Sequence, residues 1–146
     1  MEAARLAKLI IAQAQEETRT IPAGQPIYLL GLPDNFARAL VFRTHAAQAM
    51  GANGVTQPVS GGITIDGITG LKLIGTENGA YIFDYSDPPV IFRPLIREST
   101  VNAVTLNDGV AVIKIDKVKN RIVVRLTKNP LPLILYFDGR QLRKTK

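Results

Sequence analysis

The sequence predicts an α+β fold in which an N-terminal helix–strand–helix unit packs on an antiparallel β-rich sheet or sandwich. Three observations predict it. Apolar residues recur at helical spacing over the first eighteen positions, with Ala3, Leu6, Ala7, Ile10 and Ala14 forming one stripe. A continuous apolar run, Ile27 to Leu32, follows a Pro/Gly break. Beyond residue 52 the texture changes: seven glycines fall from Gly54 to Gly79, and turn dipeptides recur about every ten residues.

Taken in order, residues 3 to about 18 read as an amphipathic helix, with Arg5, Lys8 and Glu16 off the apolar stripe. Ile21-Pro22-Ala23-Gly24 ends it. Ile27 to Leu32 is short and apolar throughout, which predicts a strand buried on both faces. Pro33 ends that strand for want of an N–H, and Asp34 or Asn35 supplies an N-cap for the next element. The alanine-rich run from Phe36 to Met50 suits a second helix closed by Gly51, although its Leu40-Val41-Phe42 centre also fits a strand. Asn78-Gly79, between Leu71–Gly75 and Ala80–Tyr85, is the strongest hairpin signal. Asp108-Gly109 precedes Val110 to Asp116, Lys119-Asn120 turns into Arg121 to Thr127, and Asp138-Gly139 closes Leu133 to Phe137. No period of about 20–50 residues repeats, which excludes a solenoid. The chain is read as one domain over 1–146, with a helix–strand–helix part (1–51) and an antiparallel part (52–146).

Composition narrows the chemistry. With 46% hydrophobic and 21% charged residues the chain is that of an ordinary globular protein. The absence of cysteine excludes disulfides, thiolate catalysis and cysteine-type zinc sites. No apolar run reaches the roughly 18 residues that a membrane span needs, and the start MEAARLAKLIIAQAQEE is too charged for a signal peptide. The net charge of +6 is unevenly placed: residues 117–146 carry nine basic side chains and one acid, Asp138. Such an end reads either as a surface for anionic lipid, nucleic acid or another acidic polymer, or as a solvated sheet face with a frayed tail.

Each candidate site also has a plainer role. His45, the single histidine, lacks the motif of a triad or metal centre and reads as a surface or helix-end residue. Ser60-Gly61-Gly62 lacks the lysine and the strand–helix context of a phosphate loop, and reads as a plain loop. Asp84 and Asp87 are spaced as a carboxylate pair, but the end of a hairpin strand entering Pro88-Pro89 needs the same residues. Scattered carboxylates and one histidine predict no metal and no cofactor. Tyr136 and Phe137 are the only aromatics after residue 93 and read as core, which leaves little surface on which bases could stack and makes nucleic acid a poor partner.

The segment IYLLGLPDNFARALVFR carries a family likeness. An amphipathic helix, a Pro/Gly break, an apolar strand and then Leu32, Pro33, Asp34, Phe36, Ala39, Val41, Phe42 and Arg43 resemble the start of the soluble C-terminal domain of multi-spanning bacterial membrane proteins similar to GT-C-type glycosyltransferases. Ala39 stands where that pattern has glycine, and Thr44-His45 where it has an Asn-Gly-like pair. The resemblance covers roughly the first third of the chain. It implies a noncatalytic accessory domain on the extracytoplasmic face of a bacterial membrane, tethered by transmembrane segments outside this chain. Its partners would be the membrane-embedded portion of the parent protein and glycan or anionic lipid head groups. Because the family's catalytic carboxylates lie in the membrane part, the resemblance implies no catalytic residue here. The candidate binding residues are Asp34 and Arg43, together with Arg121, Arg125, Arg140 and Arg143 of the basic end. The competing reading is a freestanding cytoplasmic module that binds nucleic acid through that end.

Overall fold

The computed structural model describes residues 3–33, 35–36, 39–40, 57–61, 64–65, 70–85 and 103–145. Within them the chain forms one helix, α1 (Ala3–Thr18), and thirteen strands. The longer ones are β1 (Ile27–Leu30), β5 (Val59–Gly61), β7 (Leu71–Glu77), β8 (Ala80–Tyr85), β9 (Ala103–Asn107), β10 (Ala111–Asp116), β11 (Arg121–Leu126), β12 (Leu133–Phe137) and β13 (Leu142–Lys144). The two-residue strands are β2 (Leu32–Pro33), β3 (Asn35–Phe36), β4 (Ala39–Leu40) and β6 (Thr64–Ile65).

Three layers result. The central layer is a four-stranded sheet in the order β13-β12-β1-β5, and a five-stranded sheet in the order β7-β8-β11-β10-β9 covers one of its faces. Side-chain alternation divides β1 between two cores. Tyr28 and Leu30 point with Ile134 and Tyr136 into the five-stranded sheet, against Leu71, Phe83, Ile113, Ile122 and Val124. Ile27 and Leu29 point with Leu135, Phe137 and Leu142 to the other side, against Ile10 and Ala14 of α1. All four residues of β1 are buried, as the unbroken apolar run predicts for a strand covered on both faces.

Long-range polar contacts dock the helix. Thr18 donates its hydroxyl to the Ala14 carbonyl at 2.6 Å. The buried Gln57 amide donates to the carbonyls of Thr18 (3.0 Å) and Ile21 (2.9 Å), tying the helix exit to the segment before β5. Gln13 accepts the Leu142 N–H at 2.8 Å, which ties α1 to the edge strand β13.

The turn chemistry follows the sequence closely. Asn78 and Gly79 have φ of 52° and 79° in the β7–β8 turn, and Asn120, Gly109 and Gly139 also take positive φ at the predicted turns. The five-stranded sheet is antiparallel throughout.

Two expectations are corrected. The central sheet is mixed, because β1 pairs in parallel with both β12 and β5. The second helix of the predicted helix–strand–helix opening is not shown: where it was expected to begin, Asn35–Phe36 and Ala39–Leu40 pair as antiparallel β3 and β4. The rest of that expected helix lies outside the described residues. The break in the apolar run also shifts. Gly31 takes φ 70° directly after β1, and parallel pairing resumes between β2 and β6 before ending at Pro33.

Candidate functional site

Strand parity places Arg121 and Arg125 on one face of β11, since Ile122 and Val124 between them are buried against the central sheet. Register then decides their partners. Arg121 lies opposite Asp84 of β8 and Asp116 of β10, and Lys72 of β7 lies opposite Asp84, so a row of alternating charge crosses the outer face. Within it Arg121 Nε donates to Asp84 Oδ1 at 3.1 Å. Both side chains are about two-fifths exposed, which limits the pair to at most about 1 kcal/mol. Arg125, at the other end of the strand, donates from Nη1 to the Asn78 carbonyl at 2.6 Å and braces the β7–β8 turn.

The second cluster is built on the β12–β13 turn. Asp138 Oδ1 accepts the N–H groups of Arg140 and Gln141, each at 2.8 Å, in the manner of an Asx turn. Its Oδ2 pairs with Arg143. Partial burial pushes the Asp138 carboxyl up. The Arg143 guanidinium and the two N–H groups outweigh that burial and hold it below the ordinary carboxylate range. It therefore remains an acceptor at neutral pH. The Arg140 side chain is exposed on the same turn.

The two clusters meet. Gly70 abuts the backbone of Asp138 and Gly139, which brings the start of β7 against the β12–β13 turn. Between them is a hollow of about 320 Å³ lined by Gly70, Leu71, Lys72, Asp84, Tyr85 and Asp138. Arg121 and Arg143 flank it through their carboxylate partners. Burial first, and Asp116 second, raise the Tyr85 phenol above its ordinary value, so it stays protonated. The hollow thus presents two carboxylates held by hydrogen bonds, with the ammonium of the exposed Lys72 beside them. That suits recognition of a hydroxyl-rich or zwitterionic group better than proton transfer, because its two carboxylates are already engaged.

Four of the six sequence-predicted residues are therefore placed. Arg121 and Arg143 pair with carboxylates that line one hollow without lining it themselves, Arg125 and Arg140 do not line it either, and Asp34 and Arg43 lie outside the described residues, as do His45 and Asp87. The basic end is less bare than its composition implies, since Arg121 pairs with Asp84 and Lys144 with Glu17, both acids from earlier in the chain. Sequence reasoning missed Lys72, Tyr85 and Gly70 as site residues. Nothing local marks them, because the hollow arises where two distant turns approach. Ser60 and Gly61, expected in a loop, belong to β5. Among the described residues, no three His, Cys, Asp or Glu side chains converge as metal ligands, and no helix is long and apolar enough to cross a membrane. Comparison with known proteins adds no relative: no family model, curated protein or solved structure matches the chain.

Proposed function

We propose that this chain is a noncatalytic accessory domain of a membrane glycosyltransferase-like protein. In this reading it sits on the extracytoplasmic face and contacts glycan, a partner protein or the membrane surface. The observation that carries the reading is the hollow between the Arg121–Asp84 and Arg143–Asp138 pairs, whose carboxylates are held by their arginine partners. Sugar hydroxyls pair well with such carboxylate and ammonium groups. The acids of the neighbouring turns have structural work: Asp108 and Asp116 each accept two backbone N–H groups. The segment from Ile27 to Arg43 supplies the family likeness. The nucleic-acid alternative gains nothing from the C-terminal aromatics, because Tyr136 and Phe137 are buried and offer no stacking platform.

N-terminal sequencing and fractionation of the native polypeptide test the proposal. A membrane-bound protein with hydrophobic spans ahead of Met1 is the expected result. A freely soluble native protein that starts at Met1 overturns it.

A further inference from the structure

A second cavity lies away from the charged hollow, at the end of the central sheet where β1 and β12 begin. It has a volume of about 490 Å³, and its apolar wall includes Ile21, Pro22, Tyr81, Leu126, Leu131 and Leu133. That size falls within the roughly 300–1,000 Å³ of small-molecule sites. Leu131 in its wall is 53% exposed and open to contact.

The polar groups around this groove indicate what fits. Pro22 and Pro132 line it and have no N–H to offer. The Gln25 amide is already engaged with the carbonyls of Leu131 (2.9 Å) and Pro26 (3.4 Å). The Leu133 N–H donates to the Pro26 carbonyl at 2.9 Å. Thr20 and Lys144 bring polar groups to the lining, but the leucine and proline wall offers a peptide or a sugar no donor and suits a hydrocarbon body. Cations stand at two edges. Lys144 lines the groove, and its Nζ lies 3.5 Å from Glu17 in a loose pair that leaves ammonium donors available. On the other side a Cβ at Gly79, which also lines the groove, would lie 3.6 Å from the Arg125 guanidinium.

We infer that this groove binds an amphiphilic anion, a single hydrocarbon chain ending in a carboxylate or phosphate, with the chain on the leucine and proline wall and the head group near Lys144 or Arg125. The inference does not depend on the accessory-domain reading, since the groove and the hollow are separate sites.

Amide NMR titration of the full chain tests it, with dodecanoate and dodecyl phosphate below their micelle concentrations and with dodecanol and acetate as controls. The expected result is saturable one-to-one binding of at least one anionic amphiphile, with shifts centred on Ile21, Gly79, Tyr81 and Leu133. Dodecanol should bind about fivefold more weakly, as loss of one exposed charge interaction implies, and acetate should not bind. The preferred head group distinguishes a fatty acid from a phosphorylated lipid as the natural source. L131E, at an exposed position that the fold tolerates, should abolish binding. K144M should weaken dodecanoate about threefold to fivefold and leave dodecanol unchanged. The inference is overturned if neither anion binds, if dodecanol matches them, if the shifts centre elsewhere, or if L131E binds like the wild type.

Discussion

Replacing Gly70 with alanine should damage the molecule more than any other small change near the charged hollow. A Cβ there would lie 1.9 Å from the Asp138 carbonyl carbon, 2.0 Å from its oxygen and 2.1 Å from the Gly139 nitrogen. All three atoms are backbone, so no rotamer relieves the overlap. Restoring ordinary carbon–carbon separation requires the start of β7 and the β12–β13 turn to part by about 1.5 Å or more. That movement strains the Asp138–Gln141 turn and opens the edge of the core between Leu71 and Tyr136. Overpacking of this kind costs about 1–3 kcal/mol, and a backbone clash belongs at the upper end. A loss of about 3 kcal/mol lowers Tm by roughly 9 °C in a domain of this size and moves the urea midpoint down by about 1 M or more. Gly75→Ala is the internal control. No atom lies within 4 Å of its would-be Cβ, and its φ lies outside the positive range. Alanine there should leave stability unchanged or raise it by up to about 1 kcal/mol. Equilibrium urea unfolding of both variants beside the wild type decides the matter. A Gly70→Ala midpoint equal to the wild type, or equal losses in the two variants, refutes the close approach of β7 to the turn.

Three further outcomes are expected. Tyr28 donates to Asp108 Oδ2 at 2.6 Å, linking the central sheet to the β9–β10 turn, so Tyr28→Phe should cost about 1.5–2 kcal/mol in urea melts; a loss under about 0.5 kcal/mol would mean the bond adds nothing. The folded-state value of Asp138 is depressed, so its contribution is complete above the unfolded carboxyl value of about 3.9 and is lost as pH falls through the folded one. The stability difference between wild type and Arg143→Gln should therefore hold steady from pH 7 to about pH 5 and shrink below about pH 4; a difference that stays level down to pH 2 would dismiss Arg143 as the cause. Asn78→Ala forces alanine to φ 52° in the β7–β8 turn and should cost about 1–2 kcal/mol by thermal melting, while Asn78→Gly should be near neutral.

What was legible in the sequence is what local chemistry determines. Asn78-Gly79, Asp108-Gly109, Asn120 and Asp138-Gly139 mark real turns because positive φ depends on the residue that adopts it. The burial of Ile27–Leu30 on both faces was legible because a strand with an exposed face would alternate. The parallel partners of β1 were not, since neither Leu133–Phe137 nor Val59–Gly61 carries a mark of which strand it will meet. Asn35–Phe36 and Ala39–Leu40 misled because an alanine-rich neighbourhood is only a weak helix preference, which the β3–β4 pairing overrides. At the site, parity placed Arg121 and Arg125 on a common face, but register supplied Asp84 as the partner of Arg121. A charge count along the chain overstated the cationic surface for that reason.

The central position of β1 has a consequence for synthesis on the ribosome. The hairpin-joined strands β7–β8 and β9–β11 can pair as they emerge, each with a neighbour made moments before. β1 cannot complete its ladder so soon, because on one side it pairs with Leu133–Tyr136, some hundred residues further along the chain. Until then the apolar segment has only β5 to pair with, and its other side stays open. Closing that gap costs little more entropy than closing one half as long, since loop entropy grows only logarithmically. The exposure lasts until β12 emerges, however, and the nascent chain must be kept from aggregating for that entire interval.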